Sequence, residues 1–241
     1  KTDSNGKQEW SKAFSGKDDD VGYSVQQTSD GGYIIAGETK SYGAMHGYFD
    51  VWLIKTDSGG KALWSQTFNG PGDYSDDVGY SVQQTSDGGY IITGEIKPPY
   101  SESADLLWLI KTDSDGKAQW SQTFAEAGDA TGRSVQQTSD GGYIITGGVQ
   151  PLGSITSDVW LIKTDSGGKT LWSQILGGAG DDVGYSVQQT SDGGYIIAGE
   201  TKLDPSKAFS FAWLLKTDSN GKRLWFNTFG GSDELDIYAA W

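Results

Sequence analysis

Ser24-Val25-Gln26-Gln27-Thr28-Ser29-Asp30-Gly31-Gly32-Tyr33-Ile34-Ile35 recurs letter for letter from Ser81, Ser134 and Ser186. Between the copies, Lys-Thr-Asp-Ser-x-Gly-Lys appears from Lys1, Lys55, Lys111, Lys163 and Lys216. A chain of 241 residues is thus one unit repeated every ~53 residues, which is the signature of a repeat architecture built as one body.

One unit yields four strands. Gly22–Thr28 is a short β-compatible run that stops at Ser29-Asp30-Gly31-Gly32, where glycine permits positive φ. Tyr33–Glu38 follows after a turn short enough only for a hairpin. Beyond a loop of variable sequence, Asp50–Thr56 is nearly all apolar, as a strand buried on both faces must be. Asp57-Ser58-Gly59-Gly60 turns the chain into Ala62–Phe68, where large apolar and polar residues alternate. We label these strands a, b, c and d. The dipeptides Asn5-Gly6, Gly59-Gly60, Asp115-Gly116, Gly167-Gly168 and Asn220-Gly221 between c and d fit a type I′ hairpin.

Four antiparallel strands per unit, short connections and no helical periodicity predict an all-β fold, a β-propeller of four-stranded antiparallel blades. Each unit carries a Trp in strand c (Trp52, Trp108, Trp160, Trp213) and another in strand d (Trp64, Trp120, Trp172, Trp225), with Trp10 ahead of the first unit. Rings at fixed strand positions are expected to wedge between neighbouring sheets, where burial stabilises by roughly 1.5–3 kcal/mol each.

The run Lys55-Thr56-Asp57-x-x-Gly60-Lys61-x-x-Trp64 resembles the tryptophan-docking motif of quinoprotein-type propellers, one residue shorter between Asp and Gly. The whole unit is similar to repeats in large secreted and surface-displayed proteins of bacteria and archaea. The resemblance implies a propeller displayed outside the cell; it covers only the structural docking turn of the quinoproteins and so implies no quinone cofactor.

Complete units fall at about 21–68, 78–124, 131–176 and 183–229. An extra strand d (Gln8–Phe14) and an extra strand a (Asp233–Trp241, with Tyr238 at the position of Tyr185) remain. Five full units need about 265 residues, so the expectation is a five-bladed propeller with an incomplete or shared fifth blade built from 1–14 and 233–241, and a four-bladed ring is the alternative. Association through the ends is expected, because unpaired strand edges are sticky. The opening at Lys1, in mid-motif, suggests an excised portion of a longer chain.

A net charge of −14 argues against nucleic acid and anionic membranes, which need a basic surface. No apolar run approaches a bilayer span, and without cysteine there is no disulfide, thiolate metal site or Cys nucleophile. Propeller topology places the a–b and c–d turns on one face and the b–c and d–a loops on the other. The b–c loops alone diverge strongly, so Tyr42, His46, Tyr48, Tyr100 and Phe209 are the candidate ligand-contacting residues for a protein or glycan. The d–a loops add carboxylates, of which Asp19, Asp77 and Asp182 are candidate Ca²⁺ ligands, although Asp and Gly also simply make good turns. Arg133 replaces the Tyr of strand a in the third copy and is expected to sit near the d–a carboxylates. One His, no nucleophile elbow and no phosphate loop leave no catalytic constellation, which points to binding, adhesion or assembly, or to a structural spacer.

Overall fold

The computed structural model describes residues 1–43, 47–71, 74–99, 104–125, 128–178, 180–202 and 210–229. Sixteen strands form four antiparallel sheets of four, each paired in simple sequence order. The first holds β1 (Asp20–Gln27), β2 (Tyr33–Thr39), β3 (Asp50–Thr56) and β4 (Ala62–Phe68); the second β5 (Asp76–Gln84), β6 (Tyr90–Lys97), β7 (Leu106–Thr112) and β8 (Ala118–Phe124). The third holds β9 (Gly128–Gln137), β10 (Tyr143–Pro151), β11 (Asp158–Thr164) and β12 (Thr170–Leu176); the fourth β13 (Asp181–Gln189), β14 (Tyr195–Lys202), β15 (Phe211–Thr217) and β16 (Arg223–Phe229). The four predicted units are these four sheets, each beginning one to three residues earlier than expected. No helix occurs among the described residues, hence none long and apolar enough to cross a membrane.

Strand alternation explains how the sheets stack. Ile34, Ala36, Val51 and Leu53 leave the first sheet on its trailing side and meet Val82, Tyr90, Ile92, Trp108 and Ile110 on the leading side of the second, all buried. The same joint recurs between second and third and between third and fourth sheets. Among the described residues no packing of comparable extent links the fourth sheet back to the first.

The invariant stretch is the fastening of each joint. Gln26 Oε1 accepts from Gln84 N at 2.6 Å, Gln83 Oε1 from Gln137 N at 2.6 Å and Gln136 Oε1 from Gln189 N at 2.5 Å. In return, the second Gln of the following copy accepts from the turn behind it, as Gln84 Oε1 does from Ser29 N at 2.8 Å. Ser24, Ser81 and Ser134 hydroxyls accept from Val82, Val135 and Val187. These side chains serve two sheets at once, so a change in their length would break a joint.

The strand-d Trp closes the outer end of each joint. Trp64, Trp120 and Trp172 lie on Tyr90, Tyr143 and Tyr195 of the next sheet, with ring centroids 5.8, 5.9 and 5.8 Å apart. Each ring also covers the turn glycine of that sheet: a β-carbon at Gly116 would fall 2.6 Å from Trp64. Trp10 docks on Tyr33 of the first sheet in the same way, at 5.7 Å.

Two sequence expectations fail locally. The c–d turn is not type I′: Gly60 has φ +79° but no non-glycine residue among the described ones has positive φ, and Gly59 is not among the positive-φ glycines. Gly60 N instead bonds Asp57 O at 3.1 Å, while Asp57 Oδ1 accepts from Gly59 and Lys61. Ser58-Gly59 therefore forms the turn centre, and Gly60 is the left-handed residue that follows, a tight turn closed by a bulge. Nor is Gln8–Phe14 a strand; only the isolated Thr2–Gln8 bridge forms there.

Candidate functional site

Strand a forms the inner edge of every sheet, and the four inner edges adjoin in series. A row of tyrosines and glutamates stands there. Tyr23 Oη donates to Glu38 at 2.8 Å and Tyr185 Oη to Glu200 at 2.8 Å; Tyr80 donates to Glu95, which is almost fully buried and also pairs with Lys97 at 2.5 Å. Tyr23 and Tyr80 rings lie 5.2 Å apart. The third sheet has neither partner, carrying Arg133 and Gly148 at the two positions. Arg133 lies over the Tyr80 ring at 4.1 Å, a cation–π contact, and its Nε is buried without a hydrogen-bond partner among the described residues. This corrects the expectation that Arg133 faces the d–a loops: it turns toward the tyrosine row.

Burial, then the Glu hydrogen bonds, push the Tyr23 and Tyr185 phenols up to about 12, and Tyr80 is raised for the same reasons. Glu38 is raised because burial outweighs the hydrogen bond from Tyr23. The row is a polar, aromatic, acid-rich strip with one guanidinium. Sequence reasoning flagged Arg133 but missed the Tyr–Glu pairs; the available signal was that Tyr and Glu are lost together, in the third copy only.

The d–a acids have a different task. Asp76, Asp129 and Asp181 accept from Phe49, Asp105 and Ser157 backbone N–H, each reaching to the b–c loop of the preceding sheet. Of the Ca²⁺ candidates, Asp19 is exposed and its main-chain oxygen accepts from Lys40. Asp77 and Asp182 are completely buried and accept from Gly70 and Gly178 N–H within their own loops, at 2.6 and 3.1 Å. Burial pushes the Asp77 carboxyl up to about 6 and raises Asp182 likewise. Among the described residues no group of three or more His, Cys, Asp or Glu could hold a metal ion.

Of the ligand candidates, Tyr42 is half exposed but stacks on Trp52 at 5.4 Å and donates to Ser15 O at 3.0 Å, so its ring roofs the first sheet. Tyr48 meets Tyr74 edge-on at 5.8 Å, and Tyr74 is exposed. His46, Tyr100 and Phe209 lie outside the described residues. The third loop presents Leu152 and Ile155, 79% and 86% exposed. The structure thus groups Tyr48 with Tyr74 and leaves Tyr42 apart from them, against the first sheet.

No family model and no curated protein matches the chain. Similar solved structures include a protein of unknown function from Bacteroides caccae, 12% identical over 88% of this chain and 83% of that one, with a TM-score of 0.49. Another is a "putative exo-beta-1,3-galactanase" from Bifidobacterium bifidum s17, 15% identical over 86% of this chain and 70% of that one, TM-score 0.45. A third is the tail fiber of Staphylococcus aureus phage P68, 9% identical over 83% of this chain and 50% of that one, TM-score 0.29. At these values none of them lends this chain a ligand or an activity.

Proposed function

We propose that the chain is a non-enzymatic β-propeller module, acting outside the cell or at its surface, that binds a protein or glycan through its b–c loops. The supporting observation is where the repeated chemistry is spent. Ser and Gln of the invariant stretch and the d–a carboxylates such as Asp76 fasten sheet to sheet, the strand-d Trp closes the joints, and the strand-c Lys ties its strand to the a–b turn of the same sheet, as Lys55 does with Asp30 at 2.8 Å. What is left unrepeated is the loop face, with exposed Tyr42, Tyr74, Leu152 and Ile155. Rigid frames with divergent loops are a common way to build a recognition surface. In this reading the four sheets are four blades of a five-bladed ring and 1–14 belong to the fifth; the segment 233–241, expected to share that blade, lies outside the described residues. The docking turn shared with quinoproteins serves only to seat Trp on the next blade, and no cofactor is required.

Glycan arrays and binding of labelled protein to microbial and host cell surfaces test the proposal. Leu152→Ser/Ile155→Ser alters two side chains that hardly touch the fold, and it should weaken binding while leaving the thermal melt unchanged. A wild-type chain that binds no glycan or cell surface at micromolar concentration would favour the spacer reading, and binding indifferent to the double variant and to exchange of the other b–c loops would reject the loop face.

A further inference from the structure

The tyrosine–glutamate row is chemically incomplete at one place. In the first, second and fourth sheets the Tyr of strand a sits on a β-bulge, where the ladder steps from Gly22 to Ser24, Gly79 to Ser81 and Gly184 to Ser186. The bulge turns each ring onto the strand-b Glu of its own sheet. The third sheet keeps the bulge, between Gly132 and Ser134, but carries Arg133 on it and Gly148 where the Glu belongs. Three sheets thus offer one carboxylate and one neutral donor, and the third offers a cation and no carboxylate. Its strand a lies inside the series, against β5 on one side and β13 on the other.

Arg133 leans on the preceding sheet, with its guanidinium 4.1 Å from the centre of the Tyr80 ring. Its Nε is shut off from solvent and bonded to nothing among the described residues, a cost that an acceptor would remove. The carboxylates of the row are already engaged: Glu38 by Tyr23, Glu95 by Tyr80 and Lys97, Glu200 by Tyr185. On the other side of the third sheet there is room. A β-carbon on Gly148 would meet nothing nearer than a Val183 methyl of the fourth sheet, at 3.6 Å, and Gly148 is not among the glycines with positive φ. A side chain could stand there and none does. Val183 is accordingly half-buried, whereas Val78, at the same position beside a sheet that has Glu38 in place of Gly148, is 4% exposed.

We propose that the gap beside Gly148 and Val183 is a binding site for a small organic monocarboxylate, which takes the place of the missing Glu and is held by Arg133. The ligand draws Arg133 off Tyr80 and onto itself, as Tyr23, Tyr80 and Tyr185 lean on the Glu of their own sheets. The guanidinium fork, Nε–H with one Nη–H, matches the two oxygens of a carboxylate, and the idle Nε–H gains its acceptor. Charge selects the class of ligand. A monoanion restores the single negative charge that every other sheet carries at this position, whereas a dianion such as phosphate would add excess charge to a row that already holds three glutamates. This inference rests on the row and not on the loop-face reading above, so either can fail alone.

The chain has two arginines, Arg133 and Arg223, so nitrogen-15 spectra of the full chain hold two Arg Nε–H signals. Titration with glucuronate at constant ionic strength should shift the Arg133 signal, assigned by its loss in Arg133→Lys, to saturation while Arg223 stays in place. Acetate carries the same group and should shift the same signal; the tighter of the two tells whether the site reads a sugar acid or a simple acid. Glucose, which has no carboxylate, should shift neither. Gly148→Glu fills the gap from within, so it should move the Arg133 signal without ligand and weaken glucuronate and acetate at least about tenfold. Arg133→Tyr should abolish their binding, measured by calorimetry, and serves if Gly148→Glu misfolds. An Arg133 signal that moves with neither acid or only together with Arg223, or binding unchanged in both variants, would overturn the proposal.

Discussion

Trp120→Ala and Trp225→Ala make the same change at the same repeat position, once with a following sheet and once without one among the described residues. Trp120 is partly buried, lies 5.9 Å from the Tyr143 ring and covers Gly168, whose hypothetical β-carbon would sit 2.7 Å from it. Trp225 is 42% exposed. Full truncation of a buried aromatic costs about 3–5 kcal/mol, and an aromatic pair adds ~1 kcal/mol to burial. Partial burial brings Trp120→Ala to roughly 2–4 kcal/mol, whereas Trp225→Ala, which removes no inter-sheet contact among the described residues, should cost less than about 1 kcal/mol. Urea melts followed by both circular dichroism and fluorescence measure the difference, with m checked for constancy. Equal losses at the two positions would refute the argument that these rings act by docking on the next sheet.

Gly184→Ala places a methyl on Thr146 Oγ1 and within 3.2 Å of Val159 Cγ1, so it should destabilise by about 1–3 kcal/mol, while Gly22→Ala should be nearly neutral. Gln136→Ala removes the acceptor of Gln189 N and should cost about 1 kcal/mol; Gln188→Ala, at the equivalent position of the last sheet, should cost measurably less in the same melts. Burial raises Asp77 and Asp105 to about 6, so their contribution is present at low pH and is lost as pH rises through about 6. Burial acts the same way on Asp87 and Asp140, but hydrogen bonds from Lys111 and Thr85, and from Thr138 and Lys163, outweigh it and hold both carboxyls near about 2, so their contribution is lost as pH falls from the usual 3.8 toward about 2. From these groups the melting temperature should therefore peak near pH 4 and fall between about pH 4 and pH 6, and Asp77→Asn should flatten that fall; a profile unchanged by that substitution would contradict the assignment.

The period, the strands and the role of the Trp were legible because each is a local pattern: alternation for β4, continuous apolarity for β3, glycine at the turns. The turn type was misread because Gly59-Gly60 satisfies two geometries, and only the register around Lys55 and Thr56 distinguishes them. Gln26 and Gln84 read as ordinary strand polar residues, since nothing in one chain segment reveals that Gln26 meets Gln84 of the next repeat, 58 positions away, or that Gln84 meets Ser29 of the preceding one, 55 positions away. The Tyr–Glu row was hidden for the same reason: Tyr23 and Glu38 meet only once β1 and β2 are in register. Tyr42 looked like a loop aromatic free for a ligand, and it lies instead on Trp52.

The account turns on sheets fastened in series, with the leading side of the first left open. Residue-resolved hydrogen exchange tests this most directly. The amides of Gln84, Gln137 and Gln189 each donate to a Gln side chain of the preceding sheet, and Val82, Val135 and Val187 to a Ser hydroxyl. These six should be strongly protected, and Val25 and Gln27, at the same positions in β1, should exchange orders of magnitude faster, as unpartnered edge amides do. Equal protection of Val25 and Gln27 would mean that another sheet already covers the first, and the open-ended series would be wrong.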